Sequence, residues 1–496
     1  METRAPEQGS KGIVVRLVAA TIAAIGLLAM GTSVREADAH ESNPRFRGPG
    51  QPHSPPQSHP GPGHGCGGAG GGGTGGGDGG GAARPVGIDT GSLHSCALFS
   101  DGSARCWGYN DYGQLGNGAT GPSSCAINGI NLQCSPTPVP VVNLAGATSI
   151  SIGDYDTCAR LSDGSVQCWG VNENGELGLG TATGPETCTV TGVGLACSTR
   201  PVSVPGLTNV TSISTSAEEH SCASLADGSV KCWGLEAGQF GTTPTTGLFI
   251  SPQGLPYVPS PVAVPNLAGV SAVETASFHS CALLWDSTVS CWGDNLSGEL
   301  GVGTSENDVF PPATVPGLTG STAIAVGGQH TCALLPDRSV RCWGNNAWGQ
   351  LGTGTSTSCL LTAVFPPIEI PCDTTPTPVP GLAGATAIAA GGTHTCALLD
   401  DTSVRCWGRN DNGQLGIGTT SGPSGCSYNG GAPVACAPTP VAVPNLTGVV
   451  AIAAGDRHTC ALLADSSVRC WGYNVFGQLG DGTTTDSPTP VTVVWQ

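Results

Sequence analysis

Apolar side chains along this 496-residue chain alternate over short stretches that end at Gly, Asn, Asp or Pro, a pattern that predicts β-strands joined by turns. The clearest stretch, residues 327–352, reads GGQHTCALLPDRSVRCWGNNAWGQLG. A hairpin about its DRS turn would place Cys332 opposite Cys342 on antiparallel strands. Apolar side chains then fall on both faces of the sheet, with Ala333 on one and Leu334 on the other. A sheet with two apolar faces needs a cover on each, so we expect it to stack between two similar sheets.

This stretch is one of seven near-copies, whose CWG triplets recur every 51 to 64 residues. Each unit also has an A-x-A-I-A-A-G-type segment and an H-[ST]-C-A-L-type segment, and we assign the P-x-P-V segment to the start of the unit. Units of four short strands cover one another's faces when they are arranged radially. The repeat therefore predicts an all-β, seven-bladed β-propeller of four-stranded antiparallel blades. The tryptophans of the triplets are Trp107, Trp169, Trp233, Trp292, Trp343, Trp407 and Trp471.

The two ends of the repeat region predict how the ring closes. The first unit begins at Pro85 and lacks the P-x-P-V strand, whereas residues 488–493 (PTPVTV) form an unmatched copy of it. We expect residues 490–495 to pair into the first blade, so that the C-terminal strand closes a propeller spanning residues 85–496. Without that pairing, two sheet edges would be exposed.

The motifs H-[ST]-C-A-L, D-x-S-V-x-C-W-G and G-Q-L-G, repeated through residues 85–496, resemble the repeats of the regulator of chromosome condensation family. The resemblance implies a seven-bladed propeller but says far less about activity, because propellers host many unrelated functions. Secreted bacterial members include a propeller that inhibits β-lactamase by capping it with one face. This chain resembles that class in export and architecture, although its residues do not match those contacts one by one.

Two other roles in that family fit the chain poorly. The founding members exchange guanine nucleotide on a small nuclear GTPase, and a secreted acidic chain has no access to such a partner. A plant photoreceptor of this fold uses tryptophans in G-W-R-H-T motifs. The matching positions here are Ser92, Gly328, Gly392 and Asp456, which argues against light sensing of that kind.

Twenty-two of the 23 cysteines can be arranged in pairs. Every unit has two cysteines ten residues apart, and four further pairs lie in insertions between G-Q-L-G and P-x-P-V. Opposed strand residues have Cβ atoms about 4.5–5.5 Å apart, near what a disulfide requires. We predict disulfides rather than buried thiols, because all seven units hold both members and the chain has a secretory signal.

The predicted pairs account for every cysteine except Cys66. Within the units they are Cys96 with Cys106, Cys158 with Cys168, Cys222 with Cys232, Cys281 with Cys291, Cys332 with Cys342, Cys396 with Cys406, and Cys460 with Cys470. Within the insertions they are Cys125 with Cys134, Cys188 with Cys197, Cys359 with Cys372, and Cys426 with Cys436.

Residues 1–39 have the features of a secretory signal peptide. Basic residues precede an apolar run at residues 17–30, and Ala37 and Ala39 provide the small side chains of a cleavage site. An uncleaved membrane anchor is the alternative, although a spanning helix needs about 20 apolar residues. Residues 40–84, rich in Pro, His and Gly, are interpreted as a disordered tether. We therefore expect a secreted bacterial protein, extracellular or on the cell surface, without a membrane span after cleavage.

Charge and motif content narrow the function. With 17 Lys and Arg against 35 Asp and Glu, the net charge of −18 disfavours nucleic acid and anionic membrane surfaces as partners. The motifs G-x-S-x-G, H-E-x-x-H and the P-loop are missing, so the sequence predicts no catalytic residue and no cofactor. Six units place a histidine two residues before a cysteine, and Asp156 holds the seventh position. Hydrogen bonds within the blades explain these residues better than a metal site does. The histidines are His94, His220, His279, His330, His394 and His458.

The insertions are the best candidates for a binding site. All four cysteine-paired insertions occupy the same position in their units, so they open onto one side of the disc. Loops on a rigid scaffold are where binding residues concentrate. Unit three has a longer loop without cysteine at that position. We expect this face of a monomeric scaffold to bind an unidentified protein or surface glycan. Its apolar residues are Ile127, Ile130, Leu132, Val190, Phe249, Tyr257, Leu360, Phe365, Ile368 and Tyr428.

Two further functions stay open at this point. A glycan-active hydrolase or lyase would bring paired carboxylates together at the mouth of the channel. A purely structural role in a cell envelope would need no specific ligand.

Overall fold

The computed structural model describes residues 82–495 apart from 122, 128–129, 218, 237, 242–246, 252–253, 255, 306–308, 362–366 and 428–431. Within those residues the chain forms seven antiparallel β-sheets and no α-helix. The innermost strands of successive sheets lie side by side, and that of the last sheet lies beside that of the first. The fold is therefore the predicted all-β, seven-bladed propeller. The predicted signal peptide, the tether up to residue 81 and Cys66 lie outside the described residues.

The sheets are called blades 1 to 7 in chain order. Blade 1 consists of β1 (Pro85–Thr90), β2 (His94–Phe99), β3 (Ala104–Tyr109), β4 (Ser123–Ile127) and β5 (Ile130–Pro140). Blade 2 consists of β6 (Ala147–Ile152), β7 (Asp156–Leu161), β8 (Val166–Val171), β9 (Glu186–Val190) and β10 (Val193–Ser203). Blade 3 consists of β11 (Val210–Thr215), β12 (His220–Leu225), β13 (Val230–Leu235), β14 (Phe249–Ile250) and β15 (Pro256–Ala263). Blade 4 consists of β16 (Val270–Thr275), β17 (His279–Leu284), β18 (Val289–Gly293) and β19 (Val309–Thr314).

The last three blades follow the same plan. Blade 5 consists of β20 (Ala323–Val326), β21 (His330–Leu334), β22 (Val340–Asn345), β23 (Thr357–Leu361) and β24 (Ile368–Pro378). Blade 6 consists of β25 (Ala385–Ala390), β26 (His394–Leu399), β27 (Val404–Arg409), β28 (Ser424–Cys426) and β29 (Val434–Ala442). Blade 7 consists of β30 (Val449–Ala454), β31 (His458–Leu463), β32 (Val468–Gly472) and β33 (Ser487–Thr492).

Each blade is built from strands that are consecutive along the chain. In blade 5 the register is the predicted one, with Cys332 opposite Cys342. The P-x-P-V strand, however, pairs back onto the CWG strand of the same blade, where Thr377 lies opposite Cys342. The predicted unit boundary was therefore wrong, because this strand ends its own blade instead of opening the next one.

The same error affects the predicted closure of the ring. The C-terminal strand β33 pairs with β32 of blade 7, where Val491 lies opposite Cys470, and does not enter blade 1. Blade 1 has its own outer strand, β5, which pairs with β3. Blades 7 and 1 are instead joined as other neighbours are, for example by a backbone hydrogen bond of 2.9 Å from Gly482 N to Pro136 O. The ring is closed by packing, without exchange of a strand.

The last residues of the chain nevertheless contact blade 1. The Trp495 ring packs edge-on against Phe99 and Trp107, with ring centroids 5.3 and 5.9 Å away. These side chains belong to an apolar cluster that spans blades 7 and 1. The prediction therefore had the right neighbours but the wrong kind of contact.

The CWG tryptophans tie each blade to the preceding one. At each of the seven junctions the fully buried indole Nε1–H donates to a backbone carbonyl of the preceding blade's G-[QE]-[LF]-G segment, at 2.6–2.9 Å. At the closing junction Trp107 donates to Gln478 O at 2.8 Å. Gly480 lies against this indole with φ +69°, and an added Cβ would come within 2.8 Å of Nε1. Glycine is therefore required where the indole is held.

Eleven disulfides lie in the described part of the chain, and they join the pairs that the sequence predicts. Seven link the second and third strands of a blade, with Cα atoms 4.0–4.1 Å apart: Cys96 to Cys106, Cys158 to Cys168, Cys222 to Cys232, Cys281 to Cys291, Cys332 to Cys342, Cys396 to Cys406, and Cys460 to Cys470. The other four lie in the insertions, with Cα atoms 5.7–5.9 Å apart: Cys125 to Cys134, Cys188 to Cys197, Cys359 to Cys372, and Cys426 to Cys436. Every blade thus has a covalent link between strands.

Five of the described blades have a fifth strand that the sequence did not predict. In blades 1, 2, 3, 5 and 6 the insertion forms a β-hairpin that continues the outer strand. β5, for example, is 11 residues long, pairs with β4 at its start and with β3 towards its end. The insertions are therefore extensions of the sheets instead of free loops. No helix among the described residues is long and apolar enough to cross a membrane.

Candidate binding face

The five hairpins lie on one side of the disc, which we call the insertion face. Each hairpin follows the end of a CWG strand, and that strand has the same position and direction in every blade. The turns between the two innermost strands, such as residues 91–93, lie at the same end, because neighbouring strands are antiparallel. The opposite side carries tight turns capped by aspartate, as where Ser103 N donates to Asp101 Oδ1 at 3.0 Å. The insertion face therefore has hairpins at its rim and short turns towards its centre.

The predicted apolar residues of this face differ in exposure. Phe249 and Leu360 are 50% and 52% exposed. Leu132 is 3% exposed, because it packs with Tyr109 and Phe476 at the junction of blades 7 and 1, so its assignment to a binding surface was wrong. The half-buried residues are Ile130, Val190, Tyr257 and Ile368. Phe365, Tyr428 and the side chain of Ile127 lie outside the described residues.

Two exposed residues of the hairpins were missed by the sequence reasoning. Ile250, beside Phe249, is 63% exposed, and Val193, at the start of β10, is 58% exposed. Both are apolar residues in the insertions, so the signal that selected the other residues would have found them too. They enlarge the exposed apolar surface at the rim of blades 2 and 3.

The hairpin of blade 3 is braced by aromatic rings where the other four have a disulfide. Phe249 lies directly opposite Tyr257 across β14 and β15. Their rings stack with centroids 5.7 Å apart and an angle of 25° between the planes. A stacked pair of this kind contributes about 0.5–1.5 kcal/mol beyond the apolar area that it buries. All five hairpins are thus held by a contact between their own two strands.

Carboxylates accumulate on the insertion face in blades 2 and 3. The carboxyl groups of Glu176 and Glu219 are hydrogen-bonded to each other, and Glu219 Oε2 also accepts from Asn174 Nδ2 at 2.7 Å. Burial raises the pKa of both groups above the usual range. Burial also raises the pKa of the half-buried Glu173, and the nearby Glu219 charge raises it further. This sector of the face is acidic.

The opposite sector of the face, in blades 5 to 7, pairs its charges. The Arg409 guanidinium contacts both carboxylate oxygens of Asp411 and lies over the Trp348 ring, 4.9 Å from its centroid. Arg457 Nε is 3.2 Å from Asp456 Oδ2. Burial raises the pKa of Asp456 to about 6, although the Arg457 charge opposes the shift. The insertion face is therefore electrostatically asymmetric.

Two carboxylates lie deeper, on the innermost strands. Asp89 and Glu274 are buried, burial raises the pKa of each, and the Asp89 charge raises that of Glu274 further. Asp89 Oδ2 accepts a hydrogen bond of 3.0 Å from Ile152 N of the next blade. A glycosidase places its carboxyl pair on either side of an accessible glycosidic bond. Asp89 and Glu274 instead bond within the scaffold, so this pair gives no support to the glycan-active alternative.

The repeated histidines join neighbouring blades. Each Nε2 lies 2.8–3.3 Å from a serine or threonine hydroxyl of the next blade. Burial lowers the pKa of His279, His330, His394 and His458 to about 3. The repeated histidines do form hydrogen bonds, but these bonds link each ring to a side chain of the next blade, whereas the sequence predicted bonds within each blade. Among the described residues no group of three or more His, Cys, Asp and Glu is placed to hold a metal ion.

These features define a disulfide-linked β-propeller that presents braced hairpins on one face. The model of the RCC1-like domain matches residues 79–427, and models of the regulator of chromosome condensation (RCC1) repeat match residues 403–462 and 449–478. The chain belongs to the RCC1-like domain family. The family resemblance seen in the sequence is thereby confirmed.

Relatives of different function share this domain. The chain is 25% identical over 411 residues to the ultraviolet-B receptor UVR8 of Arabidopsis thaliana, covering 81% of this chain and 80% of that protein. It is 28% identical over 398 residues to the E3 ubiquitin-protein ligase HERC2 of Mus musculus, covering 78% of this chain and 7% of that protein. Among solved structures, human WBSCR16 superposes with a TM-score of 0.61 at 21% identity, covering 83% of this chain and 94% of that one. Yeast RCC1 bound to Kap60 gives a TM-score of 0.60 at 22% identity, covering 83% and 84%.

Proposed function

We propose that this protein is a secreted or cell-surface scaffold that binds a protein partner through its insertion face. On this proposal residues 1–39 are a cleaved signal peptide, residues 40–84 are a tether, and the bacterial chain acts as a monomer. A surface glycan is the other class of ligand that the face could take.

The observation that carries the proposal is the set of exposed apolar side chains on braced hairpins. Val193, Phe249, Ile250 and Leu360 are all at least half exposed and contribute little to the core. Exposed apolar patches on soluble domains commonly mark interaction sites. A loop that is already rigid loses less conformational entropy when a partner binds. The braced hairpins are therefore suited to recognition, because an apolar residue on a free loop would lose more conformational entropy on binding.

The charge of the insertion face predicts a second property of the partner. Glu173 and Glu219 are partly exposed near the hairpins of blades 2 and 3. Complementary charge steers association more than it adds affinity. We therefore expect a partner surface that combines an apolar patch with basic residues. Yeast RCC1 (Prp20), which shares this fold, was solved bound to the protein Kap60, and this is in keeping with a protein partner for the present chain.

The proposal is tested by ligand capture with the chain from residue 40 onwards. The test variant combines Phe249→Ala with Leu360→Ala on the insertion face. The matched control is Trp285→Ala, which removes a larger apolar side chain, 63% exposed, from a tight turn on the opposite side. We expect the double variant to lose most of the protein that the wild type recovers from the secreted fraction, and the control to retain it. Equal recovery by the double variant would contradict the proposal.

Two further readouts separate the alternatives. Turnover of a glycan that persists in the double variant would favour the glycan-active enzyme. Recovery with cell-wall material, without any saturable ligand, would favour a structural role. Amino-terminal sequencing of the exported protein tests the proposed location, and we expect it to begin at His40.

A further inference from the structure

An arginine of the chain itself shows what one part of the insertion face can bind. At the junction of blades 5 and 6 the Arg409 guanidinium lies over the Trp348 ring of blade 5, 4.9 Å from its centroid. The same guanidinium donates from Nε to Asp411 Oδ1 at 2.8 Å and from Nη2 to Asp411 Oδ2. A ring from one blade and a carboxylate from the next thus hold one guanidinium.

The junction of blades 1 and 2 has the same ring and carboxylate positions. Tyr112 of blade 1 lies five residues after the CWG tryptophan, as Trp348 does in blade 5. Glu173 of blade 2 lies four residues after the CWG tryptophan, as Asp411 does in blade 6. The position of the arginine, two residues after the tryptophan, is taken in blade 2 by the buried Val171. This junction therefore has the ring and the carboxylate, but an apolar side chain replaces the guanidinium.

The turn that carries the ring is held in the same way at both junctions. Tyr112 N donates to Gln114 Oε1 at 3.0 Å, and Gln114 O accepts from the indole of blade 2 at 2.9 Å. Trp348 N donates to Gln350 Oε1 at 2.9 Å, and Gln350 O accepts from the indole of blade 6 at 2.9 Å. The two rings therefore start from equivalent places relative to the next blade.

The segment that carries the carboxylate is also held in the same way. The asparagine before Glu173 accepts through Oδ1 from Leu177 N at 3.0 Å. The asparagine before Asp411 accepts through Oδ1 from Leu415 N at 3.1 Å. Because ring and carboxylate both occupy equivalent positions, the geometry that binds the Arg409 guanidinium is repeated at the junction of blades 1 and 2.

A third junction shows what happens when a longer side chain follows the tryptophan. At the junction of blades 7 and 1, Tyr109 takes the position of the arginine. Its ring lies 4.9 Å from that of Phe476, and its hydroxyl donates to Asp111 Oδ2 at 2.9 Å. This side chain thus contacts both the ring and the carboxylate of its junction. Val171 has no ring, charge or hydrogen-bonding group with which to do the same.

The surroundings of Tyr112 and Glu173 favour a cation from outside the chain. Both side chains are half-buried. Among the described residues no arginine or lysine forms an ion pair with Glu173 or lies over the Tyr112 ring. Tyr155 packs against the Tyr112 ring, with centroids 4.7 Å apart, and so holds it in place. Burial raises the pKa of Tyr112 and of Glu173, and the Glu219 charge raises both further, so the local potential is negative.

We propose that Tyr112 and Glu173 form a subsite for an arginine side chain of the partner protein. The guanidinium stacks on the tyrosine ring and donates to the carboxylate, as Arg409 does within the chain. The inference rests on the proposed function, because the arginine belongs to the protein that the insertion face binds. Arginine suits the subsite better than lysine, since a planar guanidinium both stacks on a ring and donates two parallel hydrogen bonds to a carboxylate.

The subsite is tested without the partner, on the chain from residue 40 onwards with ¹³C-labelled tyrosine rings. We expect N-acetyl-arginine-N-methylamide to shift the Tyr112 ring resonances saturably, with a dissociation constant of about 1–10 mM, because a single cation–π contact and a partly exposed ion pair are weak. The corresponding lysine derivative should bind about threefold more weakly or less.

Three variants locate the binding. Val171→Arg introduces the arginine of blade 6 and should abolish the shifts, because its own guanidinium fills the subsite. Glu173→Gln should weaken binding about fivefold or more, because it removes the charged acceptor. The matched control is Glu369→Gln, which removes an exposed carboxylate from the blade 5 hairpin and should leave binding unchanged.

No saturable shift in the wild type would overturn the proposal, and so would undiminished binding by Glu173→Gln. An equal loss in Glu369→Gln would overturn it too, since only the net charge would then matter. Equal binding of the lysine derivative would contradict the assignment to arginine. If Val171→Arg does not fold, Glu173→Gln decides the question.

The proposed function fails or stands separately. Ligand capture that depends on Phe249 and Leu360, in a chain that does not bind the arginine derivative, would overturn the subsite alone. Binding of the arginine derivative at Tyr112, in a chain whose hairpin variant captures as much protein as the wild type, would overturn the proposed function alone.

Discussion

The blade junctions and the hairpins of the insertion face use the same repeat in different ways. At every junction a buried CWG tryptophan donates to a carbonyl of the preceding blade, within a 0.3 Å range of distances. The hairpins instead differ in length, in sequence and in their brace, which is a disulfide in four described cases and a stacked pair in blade 3. Features that repeat in all blades hold the ring together. Features that differ between blades are the ones available for recognition.

The largest effect is expected from a junction tryptophan. Trp343→Ala should lower the free energy of unfolding by about 3–5 kcal/mol, because it removes a fully buried ring and the hydrogen bond to Glu299 O. Leu360→Ala, on a hairpin, should change it by no more than about 0.5 kcal/mol, as exposed positions usually do. Denaturant unfolding of both variants measures the difference. Similar losses of stability in the two variants would contradict the distinction between the blade junctions and the hairpins.

Paired cysteine variants sharpen the same distinction. Replacing Cys332 and Cys342 by Ala should destabilise the whole ring by about 2–3 kcal/mol, the value expected for a short loop in the chain-entropy account. Replacing Cys359 and Cys372 should open the blade 5 hairpin locally and weaken ligand capture. Limited proteolysis combined with thermal unfolding separates the two results. Global unfolding of the second variant at the same temperature as the first would show that the hairpin is part of the ring.

The histidine links should make the junctions sensitive to acid. Burial lowers the pKa of His330 to about 3, far below its ordinary value near 6.5. Between these two pH values the unfolded chain binds a proton at His330 and the folded chain does not. The stabilisation by His330 is complete above pH 6.5 and is lost as the pH falls towards 3. The advantage of the wild type over His330→Asn should therefore shrink by about 2 kcal/mol between pH 8 and pH 5. A pH-independent difference would contradict the buried neutral imidazole.

The smallest effect on stability is expected at the blade 3 hairpin. A double-mutant cycle on Phe249 and Tyr257, with Ala at each position, should give a coupling energy of about 0.5–1.5 kcal/mol from their stacked rings. The same variants should also weaken ligand capture, and by more than the lost stacking explains, because Phe249 is a proposed contact residue as well. Loss of stability without any loss of capture would make this hairpin a structural element alone.

Local regularities made much of the fold predictable. Identical cysteine spacing and apolar alternation placed Cys332 opposite Cys342, and the structure has that register. The P-x-P-V strand was assigned to the wrong blade, because a propeller strand shows by its sequence that it pairs but not with which neighbour. In every blade, with or without a hairpin, the chain after the CWG strand returns to its own blade, as in blade 5 where Thr377 meets Cys342.

The site was less predictable than the fold, since it depends on contacts between units. Leu132 looked like its neighbours in the sequence, but it is covered by Phe476 from the other end of the chain. The seventh position of the histidine series was visible as Asp156. Only the structure shows that the buried Ser221 hydroxyl of the next blade has no hydrogen-bond partner among the described residues. Such contacts join residues that are far apart in the sequence, and they follow no local pattern.

The central claim, that the insertion face recognises a partner, is tested most directly by site-specific photo-crosslinking. A photoreactive phenylalanine analogue would replace Phe249 or Leu360 on the insertion face, or Trp285 on the opposite side, in the exported protein. The account predicts that the first two positions crosslink to the same partner and that position 285 does not. Crosslinking from position 285 alone, or equally from all three positions, would contradict it.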